Sequence, residues 1–582
     1  MPRLPLLLAV LLVSSACRAQ RSPAPSPVRA EHAMVVSAER WASEAGVEVM
    51  RGGGNAVDGA VATGFALAVT FPVAGNLGGG GFMVVRFPDG TATTVDYRET
   101  APAGATRDMY VDDSTGAIRP DLSRRGALAS GVPGSVAGLL HAHARWGRAP
   151  LADVLAPAIR LAEGYPLSAA EADRLNGAAA SFAAYPGTAR HFTRPGGYTA
   201  GETFRQPELA GVLRRIRDGG RDGFYRGETA RLIVAEMARG GGLITLPDLD
   251  GYRPVEREPV VGHYRGHRVI SMPPPSSGGV ALVQMLDAIE PFDVAGLGFN
   301  SSATVHLMGE AMRRAFADRA EWLGDPDFSQ IPTAALTAEA YTRARMADFD
   351  PARAGSSVAL GAGHPRESPQ TTHYSVVDAD GLAVSTTTTL NGGFGSHVVV
   401  EGAGFFLNNE MDDFTSAPGQ PNMFGLVQGE ANAIEPGKRM LSSMTPTVVE
   451  DPQGRLMLVV GSPGGPRIIT AVFEAIVNVI DHGMDVQAAV AAPRVHHQWL
   501  PDVLYAERQA LAGDVVIALR ERGWRVEESD GWWGRVDAVR VAYDAETATT
   551  DPSGLDAVTS RRSGRVLLGG ADPRGEDAAA GY

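Results

Sequence analysis

The sequence predicts a layered α/β fold in which helices pack on the outer faces of a stack of β-sheets. Four observations support this prediction. Helical patterns fill residues 40–71, a strand–turn–strand pattern follows at residues 81–99, and a second strand-rich region begins after Ser368. A long apolar helical pattern then returns at residues 468–481. Runs of helices and runs of strands in this order differ from the strict alternation that is typical of a parallel sheet.

The first 19 residues have the layout of a signal peptide. A positive residue, Arg3, precedes an apolar run from Leu4 to Val13, and small residues follow at positions 14–16. The apolar run is too short to remain as a membrane-spanning helix. Residues 20–33 are rich in Pro and Ser and predict a flexible tether, so folding is expected to begin at about Met34. We therefore expect export to the periplasm or the extracellular space.

Cys17 is the only cysteine and directly follows the small residues of this segment. One interpretation is a lipid-modified N-terminus, which would then be the chain's one attachment to a membrane. The other is ordinary cleavage near Ala16 or Ala19, with no role for the cysteine. Under both interpretations the mature domain has no internal disulfide, although export would permit one.

Composition argues against a polyanionic partner and against a metal enzyme. The 582 residues carry a net charge of -14, and they contain no cluster of Lys and Arg of the kind that binds nucleic acid. His496 and His497 are adjacent, so they lack the i, i+4 spacing of a helical metal site. We therefore expect no metal and no cofactor, and hydrogen-bonded structural roles for both histidines.

The N-terminal region predicts helices followed by a β-hairpin. RWASEAGVEVM, which begins at Arg40, has apolar residues at helical spacing, and Asn55 is placed to cap a second helix that ends near Phe71. Two strands separated by a PDG turn come next. They end at Arg98 and Glu99, a position from which site residues often project.

The middle and the end of the chain differ in character. Residues 137–347 show mainly helical patterns interrupted by loops such as MPPPSSGG, and they predict one large helical layer. Beyond Ser368, THYSVVDADGLAVSTTTTL predicts a β-hairpin with its turn at Asp378–Gly381. Short strands up to LMLVVGS and the helix IITAVFEAIVNVID follow.

Three motifs are informative in combination: PQTTHYSVVD at 369–378, LSSMTPT at 441–447 and GSPGGPRI at 461–468. Other segments extend the agreement along the chain, namely GGNAVDGAVA, NLGGGGF, DYRETAP, NNEMDDF, RVHHQWLPD and DPRGEDAAAGY. From about residue 34 to Tyr582 the sequence thereby resembles gamma-glutamyltransferases, members of the N-terminal nucleophile hydrolase superfamily. An ordered set of motifs is far more specific than any single one.

The resemblance implies an αββα sandwich formed jointly by two chains of one precursor, a large subunit at 34–370 and a small catalytic subunit at 371–582. Self-cleavage would occur when the Thr371 hydroxyl attacks the carbonyl of Gln370 and the resulting ester is hydrolysed. Thr371 would then be the nucleophile and its new α-amine the base, because an α-amine of pKa about 7.7 to 8.0 is partly neutral near neutral pH. Without its companion motifs, TTHYSVV would predict only a threonine-rich strand.

Substrate-facing residues are proposed from two sources. GSPGG lies between an apolar strand and a long helix, so the backbone N–H groups of Gly464 and Gly465 are candidates to stabilise an oxyanion. The resemblance supplies the contacts with a γ-glutamyl group: Arg98, Ser442 and Ser443 at the α-carboxylate, Asp413 at the α-ammonium, Asn391 and Glu410 at the same end, and Thr389 beside the nucleophile.

Two segments depart from the family's pattern. Residues 418–433 resemble the lid loop that covers the glutamyl group in some members, but Phe424 stands where some of them carry a tyrosine that latches the lid. A phenyl ring cannot donate that hydrogen bond, so we expect looser closure. Between Glu527 and Arg565 the chain is longer than the usual pattern, and this extension has no assigned function.

Three functions are compatible with these features. The leading hypothesis is attack by Thr371 on a γ-glutamyl amide such as glutathione, with transfer of the glutamyl group to water or to an amino acid or peptide. A second is a cephalosporin or glutaryl acylase, whose acyl group lacks the α-ammonium; Asp413 and the lid-like loop favour the glutamyl substrate. A third is an uncleaved binding protein that retains only the scaffold.

Overall fold

The computed structural model describes residues 26–360, 371–416, 422–423, 425–426, 428–529, 531–543 and 564–582. Several predicted features fall outside the described residues: the signal segment 1–19 with Cys17, residues 20–25 of the tether, Gln370 and Phe424. In the remainder of the predicted tether Val28–Ala30 form a strand, so the fold begins earlier than the predicted Met34. Within the described ranges, no helix is both long enough and apolar enough to cross a membrane.

The described part of the chain contains the following strands: β1 Val28–Ala30, β2 Met34–Ser37, β3 Gly80–Arg86, β4 Ala92–Asp96, β5 Tyr165–Pro166, β6 Thr203–Phe204, β7 Val255–Arg257, β8 Val260–Tyr264, β9 His267–Ser271, β10 Thr372–Val377, β11 Ala383–Thr389, β12 Thr447–Glu450, β13 Leu456–Gly461, β14 Val495–His496, β15 Leu504–Ala506, β16 Val526–Glu528, β17 Asp537–Tyr543, β18 Arg565–Gly570 and β19 Ala578–Gly581.

Its helices are α1 Arg40–Arg51, α2 Ala56–Thr70, α3 Pro120–Arg124, α4 Ser135–Trp146, α5 Leu151–Glu163, α6 Ala169–Phe182, α7 Pro186–Phe192, α8 Pro207–Gly219, α9 Asp222–Tyr225, α10 Gly227–Gly240, α11 Leu246–Gly251, α12 Gly278–Ile289, α13 Val294–Leu297, α14 Ser302–Trp322, α15 Thr333–Leu336, α16 Glu339–Arg345, α17 Arg467–Ile480, α18 Val486–Ala491 and α19 Gly513–Glu521.

Two seven-stranded sheets form the centre of the molecule. Sheet I has the order β19-β2-β10-β11-β3-β4-β7, and sheet II has the order β1-β18-β17-β13-β12-β9-β8. Neighbouring strands in both sheets are antiparallel, as between β10 and β11 in sheet I and between β12 and β13 in sheet II. The large sheets therefore contain none of the parallel pairing that alternating βαβ units produce.

Helices cover the outer face of each sheet. Apolar side chains such as Val36 and Val377 of sheet I meet Ile270 and Val459 of sheet II in a core between the sheets. Helices α1, α2, α4 and α5 pack on the other face of sheet I, and α12, α14, α17 and α18 pack on the other face of sheet II. The arrangement is an αββα sandwich, so the predicted layered fold is confirmed.

The predicted N-terminal elements are also confirmed. The Asn55 side chain accepts hydrogen bonds from the N–H groups of Val57 and Asp58, and the Asp58 carboxylate accepts one from the Asn55 N–H. Such a reciprocal cap contributes about 1 kcal/mol to a helix. Helix α2 is buried along its whole length, because it is apolar on every side and lies between sheet I and the outer helices.

The prediction of one helical layer at residues 137–347 is wrong. Helices α4 to α11 belong to the sheet I side and α12 and α14 to the sheet II side, and strands β7 to β9 run between the two groups. The sequence does contain a short-range signal for strands β8 and β9, which the prediction missed. Val260, Gly262 and Tyr264 are buried in β8 while the residues between them are exposed, and Arg265-Gly266 turns with positive φ at both positions.

Candidate active site

Thr371 lies immediately before β10, in the middle of sheet I, and is only 7% exposed. The register that pairs Thr372 with Thr388 brings Thr371 beside Thr389, the last residue of β11. The Thr389 Oγ1 accepts a hydrogen bond from the Asn391 N–H at 2.7 Å, which fixes the turn after the strand. Asn391 adopts φ +72°, a conformation that asparagine tolerates better than most residues. The threonine is therefore held on a rigid element next to a fixed hydroxyl.

Thr371 lies where two cavities meet. The free space in the smaller cavity is about 310 Å³, which includes space open to solvent. Its lining contains the predicted site residues other than Gln370 and Gly464, and the full set is Arg98, Arg319, Thr371, Thr389, Asn391, Glu410, Asp413, Leu426, Ser442, Ser443, Met444, Gly465 and Ile468. Gly464 instead lines the wider cavity. The fold thus brings together residues that are up to 370 positions apart in the sequence, from Arg98 to Ile468.

Arg98 is the centre of a buried charge cluster in the smaller cavity. Its Nη2 lies 2.5 Å from Asp413 Oδ2 and its Nη1 lies 2.8 Å from Glu410 Oε2, with Glu99 at 3.8 Å. Burial raises the pKa of Glu99 to about 8 and raises those of Glu410 and Asp413, although the Arg98 charge opposes each shift. One guanidinium therefore balances only part of the carboxyl charge that surrounds it.

Ser442 and Ser443 are held by the loop at residues 272–277. The Ser442 N–H donates to the Pro275 carbonyl at 2.9 Å, and the Ser277 N–H donates to the Ser442 carbonyl at 2.8 Å. The Met444 N–H donates to the Ser442 Oγ at 3.1 Å. These bonds anchor Ser442 without using its hydroxyl as a donor. Within the described residues neither serine hydroxyl donates a hydrogen bond, so both protons are available to a bound molecule.

Arg319 is a site residue that the sequence did not reveal. It lies in α14, is 2% exposed, and donates to the Ser443 Oγ at 3.2 Å and the Ser277 Oγ at 2.9 Å. No motif marks it. The one available signal is a cationic residue on a helix whose neighbouring positions, including Phe316 and Ala320, are buried.

GSPGG connects the end of β13 to the start of α17. Gly464 and Gly465 have φ of +133° and +57°, values that glycine adopts without the Cβ clash of other residues. Their carbonyls accept hydrogen bonds from the N–H groups of Arg467 and Ile468. Across the described residues, neither glycine N–H donates to a protein acceptor. Two free donors therefore lie beside Thr371 at a helix N-terminus, which suits a developing oxyanion.

The histidines close to the site are neutral structural groups. His373 is fully buried between the hydroxyls of Thr387 and Ser375, and burial lowers its pKa to about 3. Although it follows Thr371 by two positions, it is engaged inside the sheet stack. His373 is therefore not a candidate for the general base of the site.

His496 and His497 have the predicted hydrogen-bonded environment. His496 contacts the Thr470 hydroxyl and Gln498, and His497 contacts Asp502 at 3.2 Å. Burial lowers the pKa of His497 to about 4. In the ranges that the structure describes, no group of three His, Cys, Asp or Glu side chains is placed to hold a metal ion.

The described residues of the lid-like segment contact the acidic turn Glu410–Asp413. The Asn422 Nδ2 donates to Asp413 Oδ1 at 3.1 Å, and the Met423 N–H donates to Asp412 Oδ2 at 2.7 Å. Leu426 lines the smaller cavity. The described residues Asn422, Met423 and Leu426 therefore lie at the edge of this cavity, while the expected effect of Phe424 stays a prediction.

The wider cavity is lined in part by residues of the extension between Glu527 and Arg565, a segment to which the sequence assigned no function. Trp532 is 57% exposed and Trp533 is 3% exposed, and both line this cavity next to Gly464. The guanidinium of Arg467 lies 4.3 Å from the Trp533 ring centre, and that of Arg574 lies 5.3 Å from the Trp532 ring. These cation–π contacts hold the two indoles as part of the cavity wall.

A family model described as gamma-glutamyltranspeptidase matches residues 42–582. The chain belongs to this family. A glutathione hydrolase proenzyme of Escherichia coli is 46% identical over 542 residues, which cover 92% of each chain. One from Pseudomonas aeruginosa is 47% identical over 526 residues, 89% of this chain and 93% of the relative. An acylase ACY 1 proenzyme of Pseudomonas sp. (strain V22) is 40% identical, covering 89% and 91%.

Solved structures of an acylase and of a gamma-glutamyltranspeptidase share the fold. A cephalosporin acylase from Bacillus halodurans superposes with a TM-score of 0.80 at 28% identity, over 97% of this chain and 98% of the acylase. A Helicobacter pylori gamma-glutamyltranspeptidase chain gives 0.54 at 41% identity, over 58% of this chain and 95% of that one. The N-terminal nucleophile hydrolase fold implied by the sequence is thereby confirmed.

Proposed function

We propose that the protein is a gamma-glutamyltransferase and glutathione hydrolase that becomes active by cleaving itself before Thr371. The observation that carries this proposal is the smaller cavity, where Thr371 faces buried guanidinium, carboxyl and hydroxyl groups. A γ-glutamyl group carries a carboxylate and an ammonium at the end remote from its amide bond. A cavity with groups of both charges next to a nucleophile suits such a molecule.

In the proposed reaction, the α-amine of Thr371 accepts the proton of its own Oγ1 as this oxygen attacks the γ-carbonyl. The carbonyl oxygen becomes an oxyanion that the N–H groups of Gly464 and Gly465 stabilise. The C–N bond then breaks, the proton passes to the leaving amine, and a glutamyl-threonine ester remains. Water or the amine of an acceptor attacks this ester and restores the Thr371 hydroxyl.

Recognition of the glutamyl group divides between the two parts of the chain. Arg98 comes from residues 34–370, whereas Asp413, Ser442 and Ser443 come from residues 371–582. After cleavage the large and small subunits must stay together as a heterodimer, because the site needs both. We also infer export of the precursor from the signal-type segment at residues 1–19.

An acylase that accepts a glutaryl group is the second candidate, supported by the 40% identity to an acylase and by the acylase fold match. We expect the protein to hydrolyse a γ-glutamyl anilide about 10- to 150-fold faster, in kcat/KM, than a glutaryl anilide. The reason is that the ammonium forms charge-assisted hydrogen bonds with the buried acidic turn. Parallel assays on the two anilides check this ratio.

The same assay separates the alternatives. A preference for the glutaryl anilide would favour the acylase. A chain that stays at full length on a denaturing gel and turns over neither compound would favour the binding protein.

The wider cavity is proposed to receive the leaving group and then the acceptor. Trp532→Ala is expected to lower the ratio of transfer to hydrolysis with a dipeptide acceptor by about 2- to 10-fold, because one aromatic wall is lost. Product analysis by chromatography measures this ratio. Trp322→Ala is the matched control, since Trp322 is 47% exposed and lines neither cavity. An unchanged ratio in the Trp532 variant would contradict the assignment.

A further inference from the structure

Arg98, the residue implied for the α-carboxylate, is already engaged in this structure. Both of its terminal nitrogens lie at carboxyl groups, 2.8 Å from Glu410 and 2.5 Å from Asp413. Its Nε faces the Met440 carbonyl at 3.3 Å. A substrate carboxylate that approached Arg98 would compete with two buried acidic groups. A second donor with no carboxyl partner would therefore bind the carboxylate at lower cost.

Arg319 has such a donor. Its Nε and Nη2 contact the hydroxyls of Ser277 and Ser443, and its Nη1 has no hydrogen-bond partner within the described chain. Among the described residues its hydrogen-bond partners are these two hydroxyls, and the Asp413 carboxyl acts on it only through space. Desolvation lowers the pKa of Arg319 to about 10, and the more distant Asp413 only partly offsets this effect. The group stays cationic near neutral pH, buried and incompletely paired.

We propose that Arg319 binds the α-carboxylate of the glutamyl group, donating from Nη1 while Nη2 orients the Ser443 hydroxyl toward the same carboxylate. The assignment rests on the function proposed above and names a substrate-binding residue on the large-subunit side. A planar guanidinium suits a carboxylate because its donors lie in one fixed plane. Bound substrate would supply the negative charge that this buried cation lacks.

The protein holds Arg319 in place independently of the acidic cluster. Ser277, which accepts from Nε, donates its own hydroxyl to the Ser442 carbonyl at 2.6 Å. The neighbouring Ser276 donates to the Met444 carbonyl. One loop thus links α14 to the serine pair, so the arginine and both serine hydroxyls have a common support. This arrangement gives a role to the MPPPSSGG loop, which had appeared only as an interruption between helices.

The test compares a γ-glutamyl anilide with the same anilide whose α-carboxylate is a carboxamide. The measured quantity is the ratio of their kcat/KM values in wild type, Arg319→Gln and Arg319→Lys. We expect Arg319→Gln to reduce the carboxylate preference by about 10- to 150-fold, mainly through KM, because one charge-assisted contact is lost. Arg319→Lys keeps the positive charge but lacks the planar pair of donors, so it is expected to retain part of the preference for the carboxylate.

A residue that only supported Ser443 would give a different result. Such a residue would have no further effect once the Ser443 hydroxyl is removed, so in a Ser443→Ala background Arg319→Gln would leave the ratio unchanged, and that outcome would overturn the proposal. Arg343→Gln, at a position 68% exposed on α16, is the surface control and is expected to leave the ratio unchanged. If wild type hydrolyses neither anilide, the proposed function is wrong. The role of Arg319 is then tested separately by measuring the binding of glutamate.

The binding measurement uses calorimetry with L-glutamate and its α-carboxamide on the full protein. Weaker binding of glutamate alone in the Arg319→Gln variant supports the proposal, and equal binding of glutamate by wild type and variant contradicts it. Should the Gln variant fail to fold, Ser277→Ala removes one support of the guanidinium. It is expected to lower the preference for the carboxylate by a smaller factor, and an unchanged preference would count against the proposal.

Discussion

Thr371→Ala is expected to yield a single uncleaved chain whose hydrolysis of a γ-glutamyl anilide falls by at least about 10⁴-fold. Both losses have one physical cause, because the hydroxyl that would open the peptide bond before Thr371 is also the one that would attack substrate. The uncleaved chain in addition lacks the α-amine that serves as base. A denaturing gel and a continuous anilide assay on the purified protein measure the two effects.

Two further variants make this result specific. Thr371→Ser keeps a hydroxyl and is expected to retain some cleavage and some turnover. Thr372→Val is the matched control, because the neighbouring hydroxyl is fully buried and has no hydrogen-bond partner among the described residues, and valine keeps the branched shape. Cleavage and turnover that persist in Thr371→Ala would overturn the mechanism, whereas equal losses in the Thr372 control would point to damage of β10.

Local sequence signals were sufficient to predict those parts of the fold that consist of regular elements with a strong hydrophobic pattern. The cap at Asn55, the apolar helix α2 and the hairpin turn at Asp378–Gly381 each rest on contacts within a few residues. Strands β8 and β9 were missed because each has only five residues, and one of them alternates around a glycine. Their place at the edge of sheet II depends on pairing with β12, almost 180 positions away.

The site shows the same division. Motifs identified residues that lie on loops with a fixed backbone, such as Gly464 and Ser443, and the structure brings them to one cavity. Arg319 lay in an ordinary helical pattern, and its role depends on the tertiary contact with Ser277 and Ser443. The role proposed for the exposed Trp532 likewise depends on the fold, which places this residue beside Gly464. Such roles depend on long-range packing, which the hydrophobic periodicity of the sequence does not indicate.

Asp413→Asn is expected to lower kcat/KM for a γ-glutamyl anilide by about 30- to 5,000-fold, the range for removing one partner of a buried charge pair. Asparagine keeps the size of the side chain but not its negative charge, so the substrate's α-ammonium is left without a counter-charge. A glutaryl anilide has no ammonium, and its turnover should change far less. The preference between the two anilides is therefore the quantity to measure.

The position of Asp413 also predicts how this preference depends on pH. Burial raises the pKa of its carboxyl group above the ordinary value, even though Arg98 opposes the shift. As the pH falls, Asp413 therefore takes up a proton earlier than an exposed aspartate would, and the ammonium loses its counter-charge. The preference of wild type for the glutamyl anilide should decline on the acid side. The Asn variant has no such proton to gain at position 413, so its ratio should depend less steeply on pH, with Glu410 as a remaining titrating group of the turn.

Asp412→Asn provides the matched control for this prediction. Asp412 is the adjacent residue of the same turn, but its oxygens accept from the Ser123 hydroxyl and the Met423 N–H instead of contacting Arg98. Its substitution should affect both anilides to the same degree, through the lid-like segment. If Asp413→Asn also lowered both anilides equally, Asp413 would serve only as a structural partner of Arg98, and the glutamyl preference would need another origin.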